Sequence, residues 1–160
     1  MPLIAEDLGV ITPEVVRLRK DFNLPGMKVL QFGFEGGPDE HLLPHLHEEA
    51  CVAYTGTHDN DTTTGWYEKV SNKVQEFSKR YLVSDGQHIA WDMIKAFWGS
   101  VAGWVITPLQ DPLELDSEAR MNFPSRTHGN GNWRVREDQR TERLAKRLLE
   151  LNQRHGRGDV

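Results

Sequence analysis

The sequence predicts an α/β fold of about four parallel βα units, and three observations carry that expectation. Apolar strand candidates begin at Leu3, Met27 and Cys51, 24 residues apart each time, which leaves room for a strand, a helix and two short loops. Helix-start signals and amphipathic stripes fall between them. Polar residues follow each candidate strand: Glu6-Asp7, Glu35, His58-Asp59 and, after a fourth strand, Gln110-Asp111. In parallel sheets covered by helices, functional groups gather at the carboxyl ends of the strands, in one shared mouth.

Each element has its own warrant. Leu3 to Ala5 is a short apolar strand candidate. Thr12 as N-cap, Pro13 at the first helical position and Glu14 in the first turn mark a helix start, and Val15, Leu18 and Phe22 fall on one apolar stripe behind it. Pro25-Gly26 breaks that helix. Met27 to Phe34 is apolar and aromatic enough for a buried strand. A short helix is expected around Glu40 to Glu49, with Pro44 awkward in its middle. The third strand starts at Cys51. Helices follow over Thr64 to Tyr81 and over Gln87 to Phe97, the latter with Ile89, Met93, Ala96 and Phe97 on its apolar face. Trp104 to Gln110 is the fourth strand. An irregular stretch from Asp111 to Arg136 precedes a last helix whose apolar face is Leu144, Leu148, Leu149 and Leu151.

Composition narrows the function classes. The 160 residues suit one domain, and 38% hydrophobic content with a mean hydropathy of -0.60 is on the polar side of globular. With 19 basic and 24 acidic residues the net charge is -5, and no clustered Lys/Arg face invites a phosphate backbone, so nucleic acid is not an expected partner. Cys51 alone excludes an internal disulfide. No apolar run is long enough for a signal peptide or a membrane span, and a cytoplasmic setting is expected.

The stretch YTGTHDNDTTTGW, Tyr54 to Trp66, concentrates the chemistry. Two carboxylates across one cleft are the apparatus of glycosidic bond chemistry, which makes Glu6 and Asp59 a candidate pair. Helix capping competes for these side chains, and it is the favoured reading for Asp7 and Asp61. Metal ligation is a rival, since His41, His45, His47 and His58 with Asp59 are ligand types; no HExxH or CxxC pattern organises them. The glycine-rich THGNGNW, Thr127 to Trp133, matches no nucleotide fingerprint and reads as a binding loop over a polar ligand. Trp66 and Trp133 are the candidate sugar platforms, whereas Trp91, Trp98 and Trp104 read as core.

Taken together, IAEDLGVITPEV, LPGMKVLQFGF, YTGTHDNDTTTGW, PLQDPLELDSEARMNFP and GNWRVR closely resemble, in order, the C-terminal half of the 4-alpha-glucanotransferases called amylomaltases or disproportionating enzymes. The resemblance implies half of a (β/α)8 TIM barrel, strands five to eight, acting on alpha-1,4-glucans such as maltodextrins with retention and without a cofactor. It places the general acid/base at Glu6 and the transition-state stabiliser at Asp59. It puts a sugar contact at His58, and the lining of the glucan path at Arg120, Asn122, Asn132 and Trp133. The family's nucleophile is an aspartate on an earlier strand, which these residues do not include. A complementary N-terminal half or self-association is therefore expected as a partner. Two readings stay open: the catalytic half of a transferase, and a non-catalytic alpha-glucan-binding or assembly module. A hydrolase of the wider alpha-amylase class is a third.

Overall fold

The computed structural model describes residues 3–37 and 41–158. Its centre is a three-stranded parallel sheet in the order β1-β2-β3, formed by Gly26–Val29, Cys51–Tyr54 and Trp104–Ile106. Gly26 pairs with Cys51 and Val29 with Tyr54, while Val52 pairs with Trp104 and Tyr54 with Ile106, so the three strand ends stand level. The helices are α1 (Pro13–Asp21), α2 (Leu30–Gly36), α3 (Thr63–Lys69), α4 (Asn72–Leu82), α5 (Ile89–Trp98) and α6 (Glu142–His155).

The core lies between the sheet and α5. Cys51, Ala53 and Val105 pack with Met93 and Phe97, and Leu30 and Phe34 of α2 close the same cluster. On its other side α5 gives Trp91 and Ile94 to Leu144, Leu148 and Leu151 of α6. A helix sandwiched between two layers buries residues all round, which is why α5 carries more buried positions than its expected stripe.

Several sequence expectations are corrected. Leu3 to Ala5 forms no strand; it makes a single backbone bond toward the sheet, Ala5 N–H to Pro25 O at 2.9 Å, and Leu3 and Ile4 remain half exposed. Met27 to Phe34 is divided between β1 and α2, because a short apolar run carries no period that separates strand from helix. Gly33 lets α2 approach Leu42 and Leu43, where an added Cβ would lie 3.2 Å from the Leu42 side chain. The expected Glu40 to Glu49 helix begins outside the described residues; within them it is one 3-10 turn, Pro44–Leu46, opened by the proline. The Thr64 to Tyr81 helix is broken at an extended Val70, after which Ser71 caps α4 by accepting from Val74 N–H. β3 ends at Ile106, before Pro108.

The burial expectations are corrected too. Val15, Leu18 and Phe22 of α1 face outward rather than into the core, and so does Leu149, which lies on a different side of α6 from Leu144, Leu148 and Leu151. Trp104 is 68% exposed, since β3 has no strand on its far side among the described residues. Trp66, expected as a platform, is buried; its ring stacks on Phe34 and its N–H donates to Glu35. Glu35 itself lies on the exposed side of α2 rather than at a strand end, because residues 30–36 are helical.

Candidate active site

A cleft of about 1080 Å³ opens at the carboxyl ends of the strands, lined by Glu6, Tyr54, His58, Asp59, Ile106 and Arg120 among others. Tyr54 and Ile106 are the last residues of β2 and β3. His58 and Asp59 come from the loop that joins β2 to α3, and Glu6 comes from the segment beside β1.

Asp7 holds Glu6 in place. Its carboxylate accepts the Met27 N–H at 2.6 Å and pairs with Arg19 Nε at 3.1 Å, so the segment carrying Glu6 is pinned to the start of β1. Gly26 makes this possible, because a Cβ there would sit 2.8 Å from Asp7 Oδ1. Asp7 therefore does not cap the following helix, as the sequence suggested; α1 starts after Thr12.

The β2–α3 loop is built by local bonds. Asn60 Oδ1 accepts from both the N–H and the hydroxyl of Thr57, at 2.9 and 2.7 Å, which turns the backbone sharply and projects His58 and Asp59 outward. Both side chains are open to solvent, 70% and 56% exposed, and His58 Nε2 stands 3.6 Å from Asp59 Oδ1. Thr62, not Asp61, caps α3 by accepting from Gly65 N–H. Asp61 instead accepts from Lys69 Nζ at 2.6 Å and Ser117 Oγ at 2.8 Å, tying the loop to the turn at Ser117–Ala119. Gln31 of α2 donates to the Asp61 carbonyl at 3.0 Å.

Beneath the loop lies a buried carboxylate. Asp111 accepts from the Thr63 N–H and hydroxyl, both at 2.8 Å, and from the Thr55 hydroxyl, which also meets Thr107 Oγ1 at 3.0 Å. Burial pushes the Asp111 carboxyl above its ordinary range against the pull of these donors. One side chain thus joins the end of β2, the stretch after β3 and the first turn of α3, bracketing the residues that carry His58 and Asp59.

Of the sequence candidates, Glu6, His58, Asp59 and Arg120 meet at the cleft, and Asn122 reaches it through a 3.1 Å bond from its amide to Asp59 Oδ1. Asn132 and Trp133 are not among the cleft-lining residues; the loop before them returns by the Gly131 N–H bond to Met121 O at 2.9 Å. The histidines disperse. His41 lines the cleft, His45 Nδ1 lies 2.9 Å from the Tyr81 hydroxyl, and His47 is buried with Nε2 2.9 Å from Leu42 O. Among the described residues no group of three or more His, Cys, Asp or Glu converges as metal ligands do. Sequence reasoning missed Asp61 and Asp111 as organisers; the signal lay in the threonines beside them, Thr55, Thr62 and Thr63, which are good donors to a carboxylate.

Parallel βα units with polar side chains from separate strand ends facing one cleft define an α/β protein of the enzymatic type. The sequence pattern of the 4-alpha-glucanotransferases matches residues 1–140, and the chain belongs to that family. It is 48% identical over 143 residues to the 4-alpha-glucanotransferase of Thermus thermophilus, covering 84% of this chain and 29% of that one. To the Synechocystis 4-alpha-glucanotransferase it is 45% identical over 161 residues, covering 98% and 32%. The amylomaltase from Streptococcus agalactiae in complex with acarbose superposes with a TM-score of 0.95 at 32% identity, covering 99% of this chain and 32% of that one. The chain thus spans about a third of the length of the relatives it matches, at 29% and 32%.

Proposed function

We propose that this chain supplies the acid/base and the charge stabiliser of a retaining 4-alpha-glucanotransferase acting on alpha-1,4-glucans. One observation carries the reading: Glu6, His58 and Asp59, from two separate segments, line one cleft at the ends of a parallel sheet. Residues 1–160 are then a portion of a (β/α)8 barrel, strands five to eight, with the Leu3 to Ala5 stretch at the place of strand five. The nucleophilic carboxylate comes from residues outside these 160. It attacks the anomeric carbon as the C1–O4 bond breaks, and Glu6 gives its proton to the departing O4. The 4-hydroxyl of a second glucan then attacks C1, Glu6 takes its proton, and the nucleophile leaves. Asp59 holds negative charge beside the oxocarbenium-like ring and His58 donates to that ring's hydroxyls. Asn132 and Trp133 line the outer part of the glucan path. The setting that goes with this reading is cytoplasmic.

The exposed Trp104 and the outer side of β3, which pairs with no strand among the described residues, support a partner for this sheet, either a complementary N-terminal half or a second copy. The test mixes this chain with the upstream portion of the Synechocystis relative and follows chain-length redistribution from maltotriose. Longer maltodextrins that appear only in the mixture, and fall by about a thousandfold in rate with Glu6→Gln, are expected. A folded complex that makes no products leaves the non-catalytic glucan-binding reading in its place.

A further inference from the structure

Asp59 stands at the tip of an exposed loop, and a carboxylate so placed needs something to hold its rotamer if it is to face a reacting sugar in one orientation. The stretch that follows the turn at Ser117–Ala119 grips it. Asn122 Nδ2 donates to Asp59 Oδ1 at 3.1 Å, and the Asn122 N–H donates to the His58 carbonyl at 3.1 Å. Arg120 donates from one terminal nitrogen to the Asp59 carbonyl at 2.7 Å and from Nε to the Asn122 carbonyl at 2.6 Å. Its other terminal nitrogen lies 4.0 Å from Asp61 Oδ2, and its guanidinium lies over the Phe123 ring at 4.8 Å. All three Arg120 nitrogens therefore face protein acceptors, and the side chain is only 20% exposed.

We infer that Asn122 and Arg120 are positioning residues for Asp59, forming a clasp that sets its carboxylate, and are not ligands of the glucan. The inference rests on the role of Asp59 proposed above. Its chemistry is consistent with that role. A neutral amide fixes one carboxylate oxygen without cancelling the charge, whereas a cation in that place would neutralise what the oxocarbenium ion needs. The cationic Arg120 is turned to carbonyls and to Asp61, and Asp61 is already shared with Lys69.

The test uses the reconstituted enzyme described above, with Asn122→Ala, Asn122→Asp and Arg120→Lys. For Asn122→Ala, kcat falls about ten- to a hundredfold, the worth of one hydrogen bond to a charged group, while the KM for maltotriose moves less than about threefold. Asn122→Asp keeps the shape, loses the donor and adds a like charge, so its kcat falls further still at a similar KM. Arg120→Lys keeps the charge but cannot span three acceptors, and it follows the same kcat-only pattern. Amide exchange at Asp59 and Asn60, read in the same complex, quickens at least about tenfold in Asn122→Ala while β2 keeps its protection. A raised KM with kcat preserved makes the amide a sugar ligand and overturns the inference. Unchanged exchange at Asp59 and Asn60 overturns it as well. Should the wild-type complex make no products, the transferase reading fails on its own and the exchange rates still decide the clasp.

Discussion

Replacing Asp111 by alanine removes the acceptor on which three buried donors converge. The Thr63 N–H belongs to the first turn of α3 and cannot re-aim, so it is left orphaned at a cost of about 1–3 kcal/mol. The Thr55 hydroxyl can turn to Thr107 Oγ1, 3.0 Å away, and loses little. The Thr63 hydroxyl loses its recorded partner, worth about 1 kcal/mol. Relief of a buried charge offsets part of this, because burial already disfavours the ionised form. The sum is a loss of about 2–3 kcal/mol, which for the reconstituted enzyme, about three times the size of this chain, lowers the thermal midpoint by about 2–3 °C. Differential scanning calorimetry of the reconstituted enzyme reads it directly. Asp111→Asn keeps an oxygen for the Thr63 N–H and is expected to lose less than half as much. An alanine variant within about 1 °C of the wild type, or an asparagine variant worse than alanine, would refute the account of Asp111 as a donor-collecting anchor.

Two further outcomes follow from the same packing. Gly65→Ala places a Cβ against Ser117 Oγ and 2.8 Å from the Ser117 backbone nitrogen, so α3 and the turn before Arg120 must separate; a loss of about 1–3 kcal/mol by calorimetry and a reduced kcat are expected. His47 is held below its ordinary value of 6.5, first by burial, so the folded state binds its proton less readily than the unfolded one. Its contribution is present above pH 6.5 and is lost progressively as pH falls below that value toward the lower folded one, and chemical denaturation in steps between about pH 7.5 and 5 should show a shallower decline for His47→Phe than for the wild type.

What the sequence disclosed was governed by local physics. Thr12-Pro13-Glu14 specifies a helix start through its own backbone constraints, and α1 begins at Pro13. The strand start at Cys51 was legible, and β2 begins there. MKVLQFGF was not, because Gln31 is helical in order to reach the Asp61 carbonyl, thirty positions later, and no local pattern encodes that. The stripe Val15, Leu18 and Phe22 was correctly amphipathic, but amphipathicity does not say what covers it, and nothing described does. In the site, residue types and strand ends made Glu6 and Asp59 a candidate pair and the family resemblance added His58, and all three line the cleft. The work of Asp61 and Asp111 was hidden, since both act through partners far along the chain, at Ser117 and at Thr55 and Thr63. Trp66 misled for a related reason: its setting in a polar loop sequence gave no hint that α3 turns the ring inward onto Phe34.

The central claim is that Glu6 and Asp59 face one sugar in one cleft, and a crystal structure of the reconstituted enzyme with acarbose tests it most directly. The account predicts the inhibitor's bridging nitrogen, which stands where the glycosidic oxygen would, within about 3.2 Å of a Glu6 carboxylate oxygen. It also predicts Asp59 and His58 against the hydroxyls of the adjoining ring, with Asn122 still bonded to Asp59. Acarbose seated away from Glu6, or bound with Asp59 turned to solvent, would contradict it.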